Sequence, residues 1–276
     1  METLEHLLER RRATLTVYSP DAFRSRLVGH LDEFISGRTG LRPGERFWIT
    51  HDPASIESFY INSLANNAGR WNLVVELFTS GPSLLTVWVG EEAGPAVSAL
   101  KGRSHPAEAA EGTIRSLFWC DNPVCNLIHV SDDPAEALRE LSSLGLQRIL
   151  GRPQTPRGRL LGRAEEPRRH VAHSGIYAFC AAVNRILETQ KDSAPLPFDL
   201  PASGDARETE RLLADALGEI PAASADETLC RLRDDYLGGQ SEALLGTLRR
   251  VMPLTRWEEF VIRCGVLTRD KWKGRP

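Results

Sequence analysis

Apolar residues in the first half of the chain follow two kinds of pattern. Short runs rich in β-branched and other apolar residues predict four strands, over residues 14–18, 47–50, 83–89 and 126–130. Apolar residues spaced three and four apart predict the intervening helices, over residues 27–35, 55–64, 73–78, 95–101 and 134–144. This β-α-β-β-α-β order indicates an α+β fold, a ferredoxin-like α/β sandwich.

The second half of the chain changes character at residue 148. Residues 148–170 hold seven arginines and little apolar content, which predicts a solvated linker or surface arm. Beyond them the apolar spacing is helical, over residues 176–187, 207–220, 227–237, 242–252 and 257–267. Capping patterns at Ser224–Glu227 and Thr255–Glu258 predict helix starts, and Gly238-Gly239 predicts a helix end. We therefore expect an α/β domain over residues 1–147, an arginine-rich linker or arm over 148–170, and a helical C-terminal domain over 171–276.

Composition and charge argue against several classes of protein. The net charge of -3 and the pI near 6.2 give no global attraction to nucleic acid or to an acidic membrane. No apolar run approaches the ~20 residues that span a bilayer, and the N-terminus lacks an apolar signal core. Five scattered cysteines form neither a disulfide framework nor a paired zinc site. We expect a soluble cytoplasmic protein.

Candidate chemistry centres on His129, at the end of the last predicted strand. A histidine there can be a nucleophile, a general base or a hydrogen-bonded structural residue. Glu140, on the following helix, is placed to orient one ring nitrogen and leave the other available. Upstream, Gly102–Pro106 and Gly112–Arg115 are typical of ligand-binding loops, and Arg115 offers a forked phosphate donor. A second histidine pair, His170 and His173, has metal-compatible spacing but no third ligand, so we interpret it as surface polarity.

Several blocks in order resemble nucleoside diphosphate kinases, over roughly residues 13 to 145. They are Ser19-Pro-Asp21, Leu27-Val-Gly29, Thr79-Ser-Gly-Pro82, Val87-Trp88, Gly90, Ser104-His-Pro-Ala107, Gly112-Thr-Ile-Arg115, Phe118 and Asn126-Leu-Ile-His-Val-Ser-Asp132. The resemblance implies that His129 takes the γ-phosphate of a nucleoside triphosphate and passes it to a diphosphate. It also implies Mg²⁺ bound with the nucleotide, no metal held by the protein itself, and a homo-oligomer.

The resemblance also assigns roles to other residues. Glu140 would orient the ring of His129, and Ser131 would support Glu140. The residues that would contact the nucleotide are Tyr60, Trp71, Ser104, Arg115 and Asn126. No part of the resemblance extends beyond Arg148.

Four departures from the family pattern leave two hypotheses open. Ser19 and Ser98 stand where the family has phosphate-binding lysine and arginine, Val130 replaces a glycine, and Arg70 replaces the base-stacking phenylalanine. One hypothesis is a phosphotransferase with an altered nucleotide substrate. Its missing cations would come from Arg24, Arg26, Arg103 or the arginine-rich arm, which we otherwise interpret as a solvated linker. The other is a weakened or inactive protein on the same fold that binds a nucleotide or a protein.

Overall fold

The computed structural model describes residues 2–154, 158–161, 171–190, 193–196, 205–220 and 226–272. Contacts divide the chain into two compact units. The first unit comprises Met1–Gly102 with Leu127–His170, and the second comprises Arg103–Asn126 with Val171–Pro276. The segment 103–126 therefore groups with the C-terminal helices.

The helices and strands follow one another in an order close to the predicted one. In chain order they are α1 (Leu4–Glu9), β1 (Ala13–Tyr18), α2 (Pro20–Arg24), α3 (Val28–Thr39), β2 (Arg42–Ile49), α4 (Pro53–Phe59), α5 (Trp71–Thr79), β3 (Ser83–Val89), α6 (Ala93–Lys101), α7 (Ile114–Leu117), β4 (Ile128–Val130), α8 (Pro134–Ser143), α9 (Gly175–Leu187), α10 (Ala206–Gly218), α11 (Glu227–Gly238), α12 (Ser241–Val251) and α13 (Arg256–Val266). Within the described residues, no helix is long and apolar enough to cross a membrane.

The first unit is built on an antiparallel four-stranded sheet with the order β2-β3-β1-β4. This order confirms the ferredoxin-like α+β fold. The central strand β1 is buried along its whole length, because β3 and β4 flank its edges and helices α1, α6 and α8 pack against it. Its apolar residues Leu15 and Val17 lie in the core with Leu85 and Val87 of β3. The sheet thus supplies a rigid base for the strand that carries His129.

Helices α1 and α2 were not predicted from the sequence, and strand β2 and helix α4 differ from the prediction in their bounds. Strand β2 starts at Arg42 and not at residue 47. It is an edge strand with an irregular register near Pro43, and its first residues, Arg42-Pro-Gly-Glu-Arg46, give no apolar signal. Helix α4 starts earlier than predicted because Asp52 caps it, accepting a hydrogen bond from the Ser55 N–H at 2.7 Å. It ends at Phe59, and short 3₁₀ turns replace the rest of the predicted helix.

The described residues of the 148–170 segment pack on the first unit. The Gly158 N–H donates to the Pro43 carbonyl of edge strand β2 at 2.8 Å. The Leu161 N–H donates to the buried Asp32 carboxylate, also at 2.8 Å. These described residues are therefore hydrogen-bonded to the first unit, while the arginines among them, at positions 148, 152 and 159, are exposed. Residues 155–157 and 162–170, with the other arginines, lie outside the described residues.

The second unit has a helical core. The apolar faces of its helices bury a cluster that includes Trp119, Phe179 and Tyr236. Helices α9 and α13 approach so closely that a Cβ atom on Gly175 would lie 2.6 Å from the Val261 carbonyl oxygen.

Three predicted helix ends in this unit can be compared with the structure. The capping box of Thr255 and Glu258 is confirmed at the start of α13. Gly239 ends α11 in the left-handed conformation, with φ of 79°, as predicted. The cap of α11 is Asp226 rather than Ser224, and Ser224 lies outside the described residues.

Candidate active site

A strained backbone residue fixes the entry into β4. Leu127 has a positive φ of 72°, which is unfavourable for a residue with a Cβ. Its N–H donates to the buried Asp21 carboxylate at 2.9 Å, and its carbonyl accepts from the Ser19 N–H at 3.2 Å. Two residues later His129 pairs with Val17 of β1. The Ser19-Pro-Asp21 segment therefore sets the strand that presents His129.

His129 and Glu140 form a close pair in the first unit. The ring Nε2 lies 2.6 Å from Glu140 Oε1, and the Ser131 hydroxyl donates to Glu140 Oε2 at 2.6 Å. The Glu140 side chain is 1% exposed and that of His129 is 14% exposed. An ionised carboxylate only accepts hydrogen bonds, so this contact favours the neutral tautomer in which Nε2 carries the proton and Nδ1 keeps its lone pair. The three residues predicted to be catalytic are thus brought together.

Two aromatic rings meet the His129 ring. The Tyr60 ring stands nearly perpendicular to it, with centroids 5.2 Å apart, and the Phe59 ring lies edge-on at 5.1 Å. Tyr60 was predicted as a site residue, whereas Phe59 was not. Phe59 falls three residues after the apolar Ile56 on the same helix, and this spacing was the available signal that it faces inward.

Behind these rings lies a buried histidine that sequence reasoning also missed. His51 packs against Phe59, with centroids 5.9 Å apart, and against Phe78, at 5.5 Å. Its Nδ1 lies 3.0 Å from the Ser55 hydroxyl. Burial lowers the pKa of His51 from 6.5 to about 4, against a small opposing effect of Asp52. His51 is therefore neutral near pH 7 and serves as part of the aromatic packing.

Arg139 links helix α8, which carries Glu140, to the end of helix α4 at Phe59. Its guanidinium donates to the carbonyls of Ser58, at 3.1 Å, and Phe59, at 2.9 Å. The same group lies 3.9 Å from Glu140 Oε1. Arg139 directly precedes Glu140 in the sequence, but its role depends on the packing of α8 on α4, which no local pattern reveals.

Three of the residues that differ from the family pattern are Ser19, Val130 and Ser98, and the structure shows what surrounds each of them. Ser19 is buried and donates its hydroxyl to Asp21, so it offers nothing in place of a lysine. Val130 is a regular β4 residue paired with Thr16, and strand geometry suits its β-branched side chain. Ser98 lies on α6, partly buried.

Arg70 and Trp71, at the start of α5, form the predicted base-stacking region. Trp71 begins α5 and is partly buried, and within the described chain no ring contact or hydrogen bond joins it to His129. Arg70, just before it, donates its Nε–H to the Asn67 side chain at 2.8 Å. Desolvation lowers the pKa of this arginine.

The remaining predicted nucleotide-contacting residues meet one another within the second unit. The Arg115 guanidinium donates to the Asn126 side-chain oxygen at 3.3 Å. The Asn126 amide donates to the Ser104 carbonyl at 3.4 Å and to the Pro123 carbonyl at 2.8 Å. Arg115 is buried, so its fork is held in place rather than mobile.

The predicted histidine pair and the expected lack of a protein-held metal concern the metal-binding capacity of the chain. His173 is fully buried, and its Nε2 lies 2.6 Å from the Phe118 carbonyl, so its interpretation as surface polarity is wrong. Its predicted companion His170 lies outside the described residues. Among the residues that the structure describes, no group of three or more His, Cys, Asp or Glu side chains is arranged to hold a metal ion.

Comparisons with known proteins match the first half of the chain. The family model for nucleoside diphosphate kinase matches residues 12–144. The nucleoside diphosphate kinase of Psychromonas ingrahamii is 32% identical over 131 residues, which are 47% of this chain and 87% of the relative. That of Azorhizobium caulinodans is 35% identical over 131 residues, 47% of this chain and 89% of the relative.

Among solved structures, one that is similar to part of this chain is a nucleoside diphosphate kinase. The apo nucleoside diphosphate kinase from Encephalitozoon cuniculi, in a cubic crystal form, has a TM-score of 0.46 and 24% identity, covering 53% of this chain and 95% of the other. Together with the sequence relatives and the matched family model, the ordered motifs of residues 12–144 show that the chain belongs to the nucleoside diphosphate kinase family.

Proposed function

We propose that the protein moves the γ-phosphate of a nucleoside triphosphate to a nucleoside diphosphate, or to a related specialised nucleotide, through a phosphohistidine at His129. One observation carries the proposal. The hydrogen bond from Nε2 to Glu140 leaves the Nδ1 lone pair of a neutral ring as the nucleophile.

Two matched displacements make up the reaction. In the first, the Nδ1 lone pair forms a bond to the γ-phosphorus while the bond to the β–γ bridging oxygen breaks, and its electron pair leaves with the diphosphate. In the second, a terminal oxygen of the acceptor attacks the same phosphorus, and the N–P pair returns to Nδ1. While the phosphoryl group is on Nδ1, the ring is cationic, and the Glu140 carboxylate stabilises it.

Substrate contacts follow from the family resemblance. Arg115, Asn126 and Ser104 are proposed to contact phosphate and sugar, and their mutual hydrogen bonds support this assignment. Tyr60 and Trp71 are proposed to border the nucleotide. Mg²⁺ enters as the counter-ion of the nucleotide substrate, bound by phosphate oxygens and water.

Loss of the family's lysine and arginine bears on rate and substrate. Phosphoryl transfer depends on positioning and on neutralising charge, and one lost charge-stabilising group costs ~3 kcal/mol in the transition state. Two such losses slow ordinary turnover by several powers of ten unless another cation replaces them. Arg103 is a candidate replacement, since its side chain is 77% exposed and its ion pair with Glu108 is long, at 4.0 Å.

A non-catalytic nucleotide-binding protein is the second candidate function. It is favoured by Ser19, which is buried against Asp21 and presents no cation. The intact set of His129, Glu140 and Ser131 favours catalysis instead, because a binding protein has no need of an oriented nucleophile.

Incubation with γ-labelled ATP separates the two candidates. The first predicts acid-labile, base-stable label on the protein that is absent from His129→Ala and retained by His6→Ala, whose side chain is exposed on α1. Unlabelled nucleoside diphosphates should then remove the label, and their relative rates rank the acceptors. No label with any nucleoside triphosphate would leave the binding function.

The proposal also includes the oligomeric state of the protein and its cellular compartment. Family resemblance suggests a homo-oligomer, and a nucleotide-dependent reaction suits the cytoplasm. Light scattering at micromolar concentration tests the first point, and a mass equal to one 30.6 kDa chain would contradict it.

A further inference from the structure

The segment 103–126 contains three of the residues proposed to contact the nucleotide, yet it has little regular structure of its own. Its described elements are a 3₁₀ turn at Pro106–Glu108 and the short helix α7. We infer that the C-terminal helices act as the scaffold of this nucleotide-contacting segment and set its affinity for nucleotide. This inference rests on the proposed function and assigns a role to the chain beyond residue 171.

Asp121 joins the segment to the start of α9. It is buried, and its Oδ2 accepts from the Ser174 hydroxyl at 2.9 Å and from the Ile176 N–H at 2.8 Å. The segment thereby caps the N-terminus of a C-terminal helix, where a carboxylate is favourable. Moving α9 moves Asp121 with it.

Hydrogen bonds of Asn122 connect the helical region to the residues just before Asn126. The Asn122 Nδ2 donates to the His173 carbonyl at 3.4 Å, and its Oδ1 accepts from the N–H groups of Val124 and Cys125, at 3.0 and 2.7 Å. The Asn126 N–H in turn donates to the Val124 carbonyl at 3.1 Å. A continuous set of hydrogen bonds thus runs from the helical region to a proposed nucleotide contact.

Trp272 contacts the segment at two places, Asp121 and His105. Its indole N–H donates to the Asp121 carbonyl at 2.7 Å. Its ring lies 5.8 Å from that of His105 and packs with Ala107 and Ala206 in a small buried cluster. His105 follows Ser104 directly, so this contact bears on the position of Ser104.

Two cations from the helical region bind the same turn. Arg207 on α10 donates to the carbonyls of Ala107, at 3.5 Å, and Ala109, at 3.2 Å. The Lys271 ammonium lies 3.1 Å from Glu108. With Asp121 and Trp272 they tie both the early and late parts of the segment to the C-terminal helices. Because the segment has little regular structure, its geometry depends on contacts with the packed helices as well as on its own hydrogen bonds. The positions of Arg115 and Asn126 therefore depend on these contacts.

Two matched pairs of variants test the inference in the full chain. Arg207→Ala removes a contact with the segment, whereas Arg211→Ala, one turn later on α10, removes an exposed pair with Asp215 that lies outside the segment. Trp272→Phe removes the N–H donated to Asp121, whereas Trp257→Phe removes one donated at 2.6 Å to Ala172, outside the segment. Arg207 is exposed, so its variant is expected to fold.

Two measurements are made on each variant. Calorimetry gives the Kd for Mg-ADP, which requires no phosphoryl transfer. Labelling with phosphoramidate, a small donor without base or sugar, reports the His129 pair alone. We expect Arg207→Ala and Trp272→Phe to weaken ADP binding about three- to tenfold, the effect of one or two hydrogen bonds, with phosphoramidate labelling unchanged. The Arg211 and Trp257 variants should match the wild type in both.

The outcomes separate this inference from the proposed function. Unchanged ADP affinity in both Arg207→Ala and Trp272→Phe would overturn the scaffold role. Equal losses in the paired controls would also overturn it, because they would show a general loss of stability. ADP binding that responds as expected, without labelling of the wild type by any donor, would support the scaffold while overturning phosphotransfer.

Discussion

His51 offers a quantitative test of the packing around the proposed nucleophile. Its side chain is 4% exposed and lies among the rings of Phe59 and Phe78. The change to test is His51→Leu, which fills this space with an apolar side chain and removes the titratable group. The measured quantity is the free energy of unfolding as a function of pH.

The sign follows from the direction of the pKa shift. Burial places the pKa of His51 in the folded protein at about 4, below the value of 6.5 expected in the unfolded chain. The unfolded chain therefore binds the proton first as the pH falls. The stability that neutral His51 contributes is present above pH 6.5 and is lost as the pH falls toward 4. At about 1.36 kcal/mol per pKa unit, the loss amounts to about 3 kcal/mol.

Urea unfolding at several pH values between 7.5 and 4 measures this loss. Other groups titrate in the same range, so the informative quantity is the difference between wild type and His51→Leu. As the pH falls from 7.5 to 4, the free energy of unfolding of the wild type should decrease by about 3 kcal/mol relative to that of the variant. His6→Gln, at an exposed position on α1, should follow the wild type. A constant difference across the range would refute the claim that burial keeps His51 neutral.

Two further predictions concern the support of His129. Asp21→Ala removes the acceptor of the strained Leu127 N–H, and we expect a loss of about 2–3 kcal/mol in the free energy of unfolding, measured in urea; an effect below 0.5 kcal/mol would contradict this role. Glu140→Gln keeps the shape but removes the charge that stabilises the phosphorylated ring, so labelling by ATP should slow about 10²–10³-fold in rapid-quench experiments. Ser131→Ala should slow it less, and equal rates in the wild type and Glu140→Gln would exclude the electrostatic role.

Much of the first unit could be predicted from sequence because its signals are local. The spacing of β-rich runs and helical faces gave the β-α-β-β-α-β order, and the short separation of His129, Ser131 and Glu140 placed them on adjoining elements. The edge strand β2 was predicted too short because its first residues, Arg42-Pro-Gly-Glu-Arg46, have no apolar pattern.

The missing parts of the site depend on contacts between distant residues. Phe59 and His129 are 70 positions apart, and they meet only through the packing of α4 and α8, which Arg139 secures. The segment that contains Asp121 has the Gly and Pro content of a surface loop, and its partner Trp272 lies 151 positions away. The spacing of residues within one helix or strand does not predict such pairs, because each is set by tertiary packing.

The position of the phosphoryl group on His129 tests the central claim most directly. The wild type would be labelled with ATP, and nuclear magnetic resonance would measure ³¹P–¹⁵N coupling in the ¹⁵N-histidine protein, with His129→Ala as the reference. The hydrogen bond from Nε2 to Glu140 predicts coupling to Nδ1 and a proton retained on Nε2. Phosphorus on Nε2, or on a residue other than His129, would contradict the account.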